Sequence, residues 1–465
     1  MSREVRADVC VLGAGSAGLA AAYLATRFGA RTVLVERADM GGECLNTGCV
    51  PSKTLLAVAK RARVASAPVD FGRVHERVHE VIRELAPHDS AERYERLGAE
   101  VIRAEARFTG ARMLAAGHTR IRARRVIVAT GSAPRVPPIE GLQGVEYFTN
   151  ETIFENRSLP RHLVIVGGGP LGIELAQAHR RLGARVTVLE QGAAMDKDEP
   201  ELARALLKRL AAEGISVREK AKVRRVEPSG GGVALIVEEA GQESRVEASH
   251  LLVATGRAPR VAGLGLERAR IKHDERGIAV DAHLRTSARG VYAIGDVVKG
   301  APRFTHIGAY HAGVAIRNAL FYLPAKVDYR ALPWVTYTDP ELAHTGMSEK
   351  KAREAYGEDV RIDCSPLRDN DRAHAEGETA GMVKLVARAN GRVLGASILA
   401  PHAGELIQPW ILAIERGLKL KDLARMIVPY PTLGEASKRA AAAFYDARLF
   451  NGWTRGLARA LAWLP

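Results

Sequence analysis

The sequence predicts an α/β fold organised around two dinucleotide-binding units. Three observations carry this: a glycine-rich turn joining an apolar, β-branched run to an alanine-rich helical run, the recurrence of that whole unit further along, and a pair of cysteines in a second glycine-rich stretch.

In the first unit, residues 7–12 read as a strand, followed directly by Gly13-Ala14-Gly15-Ser16-Ala17-Gly18, a helical segment to residue 28, and a second strand over 32–35 ending in Glu36. The glycines let backbone approach a pyrophosphate at the helix N-terminus, and the acidic side chain at the second strand's end can hold ribose hydroxyls. The glycine pattern alone would be weak. Strand, turn, helix, strand and acid in order make it specific.

The second unit has a strand over 163–166, Gly167-Gly168-Gly169-Pro170-Leu171-Gly172, a helix over 173–182, and a strand over 186–189 before Glu190. Gly13 to Gly167 and Glu36 to Glu190 are both spaced by 154 residues. Two such sites imply two nucleotides, an arrangement suited to passing electrons from a nicotinamide to a flavin. A carboxylate at Glu190 accepts a hydrogen bond from a ribose 2′-hydroxyl and repels a 2′-phosphate, so NADH is expected ahead of NADPH; Arg185 is the nearby cation that could compensate. A further echo relates residues 126–134, with Thr130 and Gly131, to residues 251–259, with Thr255 and Gly256. After it, residues 290–296 read as a strand ending in Gly295 and Asp296, a carboxylate able to bond a ribityl chain or ribose.

The cysteines lie in Gly41-Gly42-Glu43-Cys44-Leu45-Asn46-Thr47-Gly48-Cys49-Val50-Pro51-Ser52-Lys53, which runs into a predicted helix. A cysteine at a helix start meets unpaired backbone N–H groups that stabilise its thiolate, the form that attacks disulfides or metals. A structural disulfide or half of a metal site is the alternative. No second Cys/His pair at ligand spacing supports zinc, so redox chemistry is favoured and no metal site is expected.

At 465 residues, with 47% hydrophobic and 26% charged residues, the chain suits two to four ordinary globular domains. The apolar run over 9–28 contains Gly13, Gly15 and Gly18 and is explained by the first unit, not by a signal peptide or membrane span. Four cysteines with no secretory signal point to a reducing, cytoplasmic setting. The net charge of +15 is spread along the chain with no recognition motif, so nucleic acid is not expected as a partner.

With these pieces in order, the chain resembles the FAD-dependent class I pyridine nucleotide-disulfide oxidoreductases, the group of dihydrolipoamide dehydrogenase, glutathione reductase and mercuric reductase, over residues 6–445. The resemblance implies Rossmann-like FAD-binding (1–150 and 276–330) and NAD-binding (151–275) domains and an α+β dimerisation domain (331–445); residues 446–465 follow as a basic amphipathic tail. It implies an enzyme that is a homodimer, carries FAD, oxidises NADH and reduces a small-molecule acceptor. Cys49 would be the flavin-facing thiol, Cys44 the interchange thiol, and Lys53 would lie near the flavin and pair with Glu174.

The sequence departs from the family's pattern at one place. Where disulfide reductases carry the histidine of a His-Glu acid/base pair, this chain has Tyr430, while the glutamate stands as Glu435. A phenol of pKa about 10 is a poor base near neutrality, where imidazole at about 6.5 is suited to both roles. Tyr430 could still donate a hydrogen bond, act through a pKa lowered by a nearby cation, or simply pack. His306, His311, His344 and His402 are equally unplaced as substitutes. Two functions follow: a dihydrolipoamide dehydrogenase-like enzyme with a disulfide-type acceptor, or a metal-ion or quinone reductase needing no such pair. Against the mercuric type, no cysteine follows Cys364 and no metal-binding module is expected before residue 7.

Cys10 is expected in the core and Cys364 as a lone thiol. Residues 53–97 read as a helical stretch with a break near Ala67-Pro68. In the tail, Leu449, Phe450, Trp453, Leu457, Leu461 and Leu464 fall near one helical face, with Arg448, Arg455 and Arg459 elsewhere, a pattern for a helix docked on its own dimer or a peripheral membrane contact.

Overall fold

The computed structural model describes residues 3–65 and 69–463. They form two compact units, one of Met1–Gly167, Ala178–Gln191 and Lys220–Val327, the other of Gly168–Gln177, Gly192–Glu219 and Asp328–Pro465.

The first unit is built on a seven-stranded sheet in the order Ala99–Arg103, Thr32–Glu36, Arg3–Leu12, Thr119–Val128, Met113–Ala116, Ala106–Gly110, with Val291–Ala293 also pairing with Thr119–Val128. Its centre is parallel, with Val9 opposite Thr32 and Cys10 opposite Val126. Because side chains alternate across a strand, Val9, Val11, Leu34 and Ile127 fill one face, and Cys10, Leu12, Val33, Val35, Val126 and Val128 the other. Cys10 is fully buried, which pushes its thiol up to about 12, as expected of a small core residue.

The second nucleotide motif places His162–Val166 between the parallel strands Arg185–Leu189 and His250–Val253. An antiparallel set, Lys222–Ser229, Gly232–Glu239 and Gln242–Ala248, closes its core around Leu142, Val226 and Leu235. The two echoing segments meet directly, since Ser132–Pro134 and Arg257–Pro259 pair antiparallel.

The helical stretch after the cysteines is three helices, Cys49–Ala65, Phe71–Leu85 and Ala91–Arg96. Asp70 and Ser90 cap the second and third through bonds to Gly72 N, Arg73 N and Arg93 N, which is why new helices start there. The break expected at Ala67-Pro68 lies outside the described residues.

The second unit holds a five-stranded antiparallel sheet, Pro333–Thr336, Glu341–Gly346, Val393–Ala400, Met382–Arg388 and Val360–Pro366, packed under the helices Gln408–Arg416 and Gly434–Leu449. Trp410 is fully buried there and its indole N–H donates to Ser437 Oγ at 3.2 Å. Lys384, 2% exposed, sits among Glu199, Glu201 and Glu349. Three carboxylates raise its pKa against the desolvation that would lower it.

The last helix, Gly452–Leu461, buries no residue. Leu449, Phe450, Trp453, Leu457 and Leu461 are all exposed. Leu464 and the side chain of Arg448 lie outside the described residues. Among the described residues no helix is long and apolar enough to cross a membrane.

Candidate active site

The cysteine stretch folds as a short helix, Gly42–Asn46, followed by Cys49–Ala65, so Cys44 lies within the first helix and Cys49 opens the second. Asn46 Nδ2 holds the entry to this stretch by donating to the Met40 and Gly42 carbonyls at 3.0 and 2.8 Å. The stretch is fastened to the first nucleotide turn: Gly41 N–H donates to the Ala14 carbonyl at 3.0 Å, and a Cβ on Gly42 would come within 2.6 Å of Gly15 Cα. Only glycine allows that approach, and it sets the thiols beside the first glycine turn.

Cys49 Sγ lies 3.3 Å from Thr305 Oγ1, the first residue of the helix Thr305–Phe321, whose N-terminus has no side-chain cap. The Cys49 sulfur therefore meets the positive ends of two helices, its own and this one. The hydrogen bond between the thiols, with burial, pushes the Cys44 thiol up, while Thr305 pulls the other way. Lys53 follows Cys49 one turn along the same helix.

The nucleotide turns have the expected form. Gly13 (φ 101°) and Gly167 (φ 119°) occupy the same left-handed position one repeat apart, and a Cβ on either would overlap the Ala129 or Ala254 carbonyl respectively. The helix Ser16–Arg27 starts after Gly15 with no side-chain cap, leaving its first N–H groups for an anion. A Cβ on Gly18 would overlap the Gly13 carbonyl, while added Cβ atoms at Gly131, Gly169 and Gly256 would meet open space. The Glu36 carboxylate stands at the mouth of the turn, accepting from Ala14 N–H at 2.6 Å and Ala38 N–H at 2.8 Å. These residues fit FAD: an uncapped helix end for its pyrophosphate, glycine-lined clearance, and a carboxylate for a ribose. Gly172 lies in the first turn of the helix Pro170–Arg181, and Glu190 follows the strand Arg185–Leu189. Arg185 opens that strand, so it stands at the opposite end from Glu190, about 17 Å away along an extended chain.

Gly295 and Asp296 begin a 3₁₀ turn after Val291–Ala293. Asp296 accepts from Ser132 Oγ at 2.6 Å, and Thr130 Oγ1 donates to the Arg260 carbonyl at 2.8 Å. Arg257 joins this group to the cysteine stretch: its Nε donates to Ser132 Oγ at 2.7 Å and its guanidinium pairs with Glu43, which also accepts from Asn150 Nδ2 at 3.0 Å.

Burial pushes the Glu43 carboxyl up to about 7 against the pull of Arg257, with Asp296, Glu151 and Cys49 adding to the rise. An unfolded glutamate titrates near 4.3, so between there and about 7 the folded state holds the extra proton. That contribution to stability is complete below about 4.3 and is lost as pH rises through 7. Compared with Glu43→Gln, the wild-type Tm is expected to fall as pH rises from 5 to 8. With Glu43 still 34% exposed, the relative change is a few degrees at most. Thermal unfolding of both proteins at constant ionic strength checks this, and parallel curves would reject it.

In the second unit, Tyr430 is 69% exposed and its hydroxyl donates to Asp371 Oδ2 at 2.7 Å. Asp371 raises the phenol's pKa, and Glu435 adds to the rise. Of the roles left open for Tyr430, the structure shows that of hydrogen-bond donor, and its described neighbours Asp371 and Glu435 are carboxylates that raise the phenol's pKa. Glu435 lies in the first turn of Gly434–Leu449. His311 and His344 are buried and pushed down to about 4, the first accepting from Gly295 N–H at 3.1 Å, the second between Ser397 Oγ and the Gly346 carbonyl. His306 stacks on Phe304 and His402 is exposed. Glu174 is buried and accepts from Tyr337 N–H at 2.9 Å; it belongs to the second unit and Lys53 to the first.

Comparison with known proteins decides the ancestry. Residues 7–312 match the model for pyridine nucleotide-disulphide oxidoreductases, and residues 332–441 match that family's dimerisation domain. The chain belongs to this oxidoreductase family. Its curated relatives include a mercuric reductase of Streptomyces lividans, 38% identical over 94% of this chain and 96% of that one, and a dihydrolipoyl dehydrogenase of Thermus scotoductus, 36% identical over 94% and 97%. Among solved structures, a Cu(II) complex of the HOCl-induced flavoprotein disulfide reductase RclA from Escherichia coli superimposes with a TM-score of 0.86 at 28% identity, covering 93% of this chain and 99% of that one. The chain is therefore a flavoprotein disulfide oxidoreductase; members of the family bind FAD and a pyridine nucleotide, and the C-terminal match fits a homodimer.

For this flavoenzyme, sequence reading passed over Glu43, Arg257, Thr305 and Asp371. Glu43 stood inside the cysteine stretch, yet its partner Arg257 lies far along the chain. Thr305 at the start of an apolar helical run was the one local signal available.

Proposed function

We propose that this enzyme oxidises NADH and passes the electrons through Cys44 and Cys49 to a thiol-binding metal ion such as Hg(II) or Cu(II). The observation that carries the reading is Tyr430, an exposed phenol whose pKa is raised by Asp371. A disulfide acceptor releases a thiolate that must be protonated, whereas a metal ion takes electrons without needing an acid/base pair.

Gly13, Gly15, Gly18 and the uncapped helix end would hold the FAD pyrophosphate, Glu36 its ribose, and Thr130, Gly131, Gly295 and Asp296 would line its remaining length. Gly167, Gly169, Gly172, Gly256 and Glu190 would hold the pyridine nucleotide, and the placement of Arg185 at the far end of its strand supports NADH over NADPH. FAD, when bound, converts a hydride donor into a source of electrons for the cysteine pair. The chain's own residues do the rest. Two helix N-termini and Lys53 stabilise a thiolate on Cys49, and the half-buried Cys44 keeps the proton until an acceptor displaces it.

A disulfide-type acceptor is the second reading, favoured by Glu435 and by the dihydrolipoyl dehydrogenase relatives. Anaerobic NADH consumption with Hg(II), Cu(II), oxidised glutathione and lipoamide, each tested alone, separates the two. Turnover with a metal ion is expected to exceed that with either disulfide by roughly 10²-fold, the usual worth of a missing acid/base group. Equal or faster disulfide turnover would overturn the proposal.

A further inference from the structure

His75-Glu76-Arg77-Val78-His79 lies on the helix Phe71–Leu85, where residues four apart share a face. Phe71, Val74 and Val78 bury that helix against the first unit, leaving His75 and His79 half-buried beside the core. The two rings stand 4.2 Å apart between centroids. Glu155, at the end of the turn Ile153–Glu155, faces them, with its Oε1 3.7 Å from His79 Nε2. Each of the three side chains offers one ligand atom, and these atoms all lie within 4.8 Å of one another.

We propose that His75, His79 and Glu155 form a site for a zinc-class divalent cation, separate from the redox cysteines. Two imidazoles at i and i+4 with one carboxylate are the donor set and spacing of helix-borne zinc ligands, and nitrogen donors select against Mg²⁺ and Ca²⁺. Donors on a tetrahedral zinc sphere lie about 3.4 Å apart, a closure the exposed Glu155 side chain can supply. A second observation points to a missing ligand: His75 Nε2 is buried with no hydrogen-bond partner among the described residues, a costly state for a ring nitrogen that a cation would relieve. His79 Nε2 lies 3.1 Å from the Phe154 carbonyl; as the donor in that contact it orients the ring and leaves Nδ1 as the nitrogen that would ligate. Burial, His79 and Arg157 hold His75 toward the neutral, ligating form against the opposite pull of Glu155 and Glu76, although Arg157 also opposes a bound cation. A metal there would clip the helix onto the turn leading into His162–Val166, the first strand of the second nucleotide motif. His75 and His79 stand at ligand spacing in the sequence itself; what the fold adds is Glu155, brought beside them from a turn far along the chain.

The test uses untagged, FAD-loaded full-length protein carrying Cys44→Ser, Cys49→Ser and Cys364→Ser, so that thiols do not compete. Calorimetric titration with ZnCl₂ is expected to show one ion per chain with micromolar or tighter affinity, and Co(II) to give a visible ligand-field band. Adding His75→Ala and His79→Ala should abolish both signals, and Glu155→Gln alone should weaken Zn(II) at least tenfold. Zn(II) should raise the Tm of this triple-serine protein and not that of the double histidine variant. Absence of Zn(II) binding in the triple-serine protein, or binding unchanged by the histidine or Glu155 substitutions, would overturn the proposal.

Discussion

Cys44→Ser is expected to lower acceptor turnover by roughly 10³-fold or more while NADH still bleaches the flavin of the loaded enzyme. The two thiols have different surroundings. Cys49 opens a helix, lies 3.3 Å from Thr305 at the start of another, and has Lys53 one turn ahead. Cys44 lies in the short helix Gly42–Asn46, and its hydrogen bond to Cys49, with burial, pushes its thiol up. If Cys44 is the thiol that meets the acceptor, as proposed, its removal takes that group away and leaves a thiolate on Cys49. The resting Cys44→Ser protein should therefore show a long-wavelength thiolate–flavin absorption band, and Cys49→Ser should show none. Stopped-flow reduction by NADH, steady-state acceptor assays and the resting spectrum together decide. A band in Cys49→Ser instead, or full acceptor turnover in Cys44→Ser, would reverse or remove the assignment of the two thiols.

Tyr430→His is expected to raise lipoamide-type disulfide turnover by roughly 10²-fold, within the range a positioned acid/base group supplies. The site is prepared for an imidazole: Tyr430 is exposed, Asp371 already accepts its hydroxyl at 2.7 Å, and Glu435 lies in the first turn of the following helix. Two carboxylates that raise a phenol out of use would raise an imidazole only slightly above its ordinary 6.5, where it exchanges protons at neutral pH. Disulfide turnover in the variant should accordingly acquire a pH dependence centred near 7 that the wild type lacks. The ratio of disulfide to metal-ion turnover is the quantity to measure. An unchanged ratio would show that Tyr430 does not select the acceptor.

Much of the cofactor machinery was legible because its chemistry is local. A glycine with φ near 100° between a buried strand and a helix start can be read from a handful of residues, and so can an acid at the end of the next strand; Glu36 bonding to Ala14 and Ala38 shows why that spacing matters. The capping residues Asp70 and Ser90, which divide the helical stretch into three, were equally local and were missed only because the charge pattern is continuous across them.

What the sequence by itself determined is the pair of nucleotide motifs, the position of the thiols at a helix start, and the absence of a histidine at residue 430. The tertiary structure alone decided which groups act on them: Thr305 against Cys49, Arg257 against Glu43, Asp371 against Tyr430, and Glu155 against His75 and His79. The physical reason is that backbone turns and helix ends depend on neighbours within a few residues, whereas a side chain's charge state and partners depend on whatever distant strand, turn or helix end the packed core brings against it.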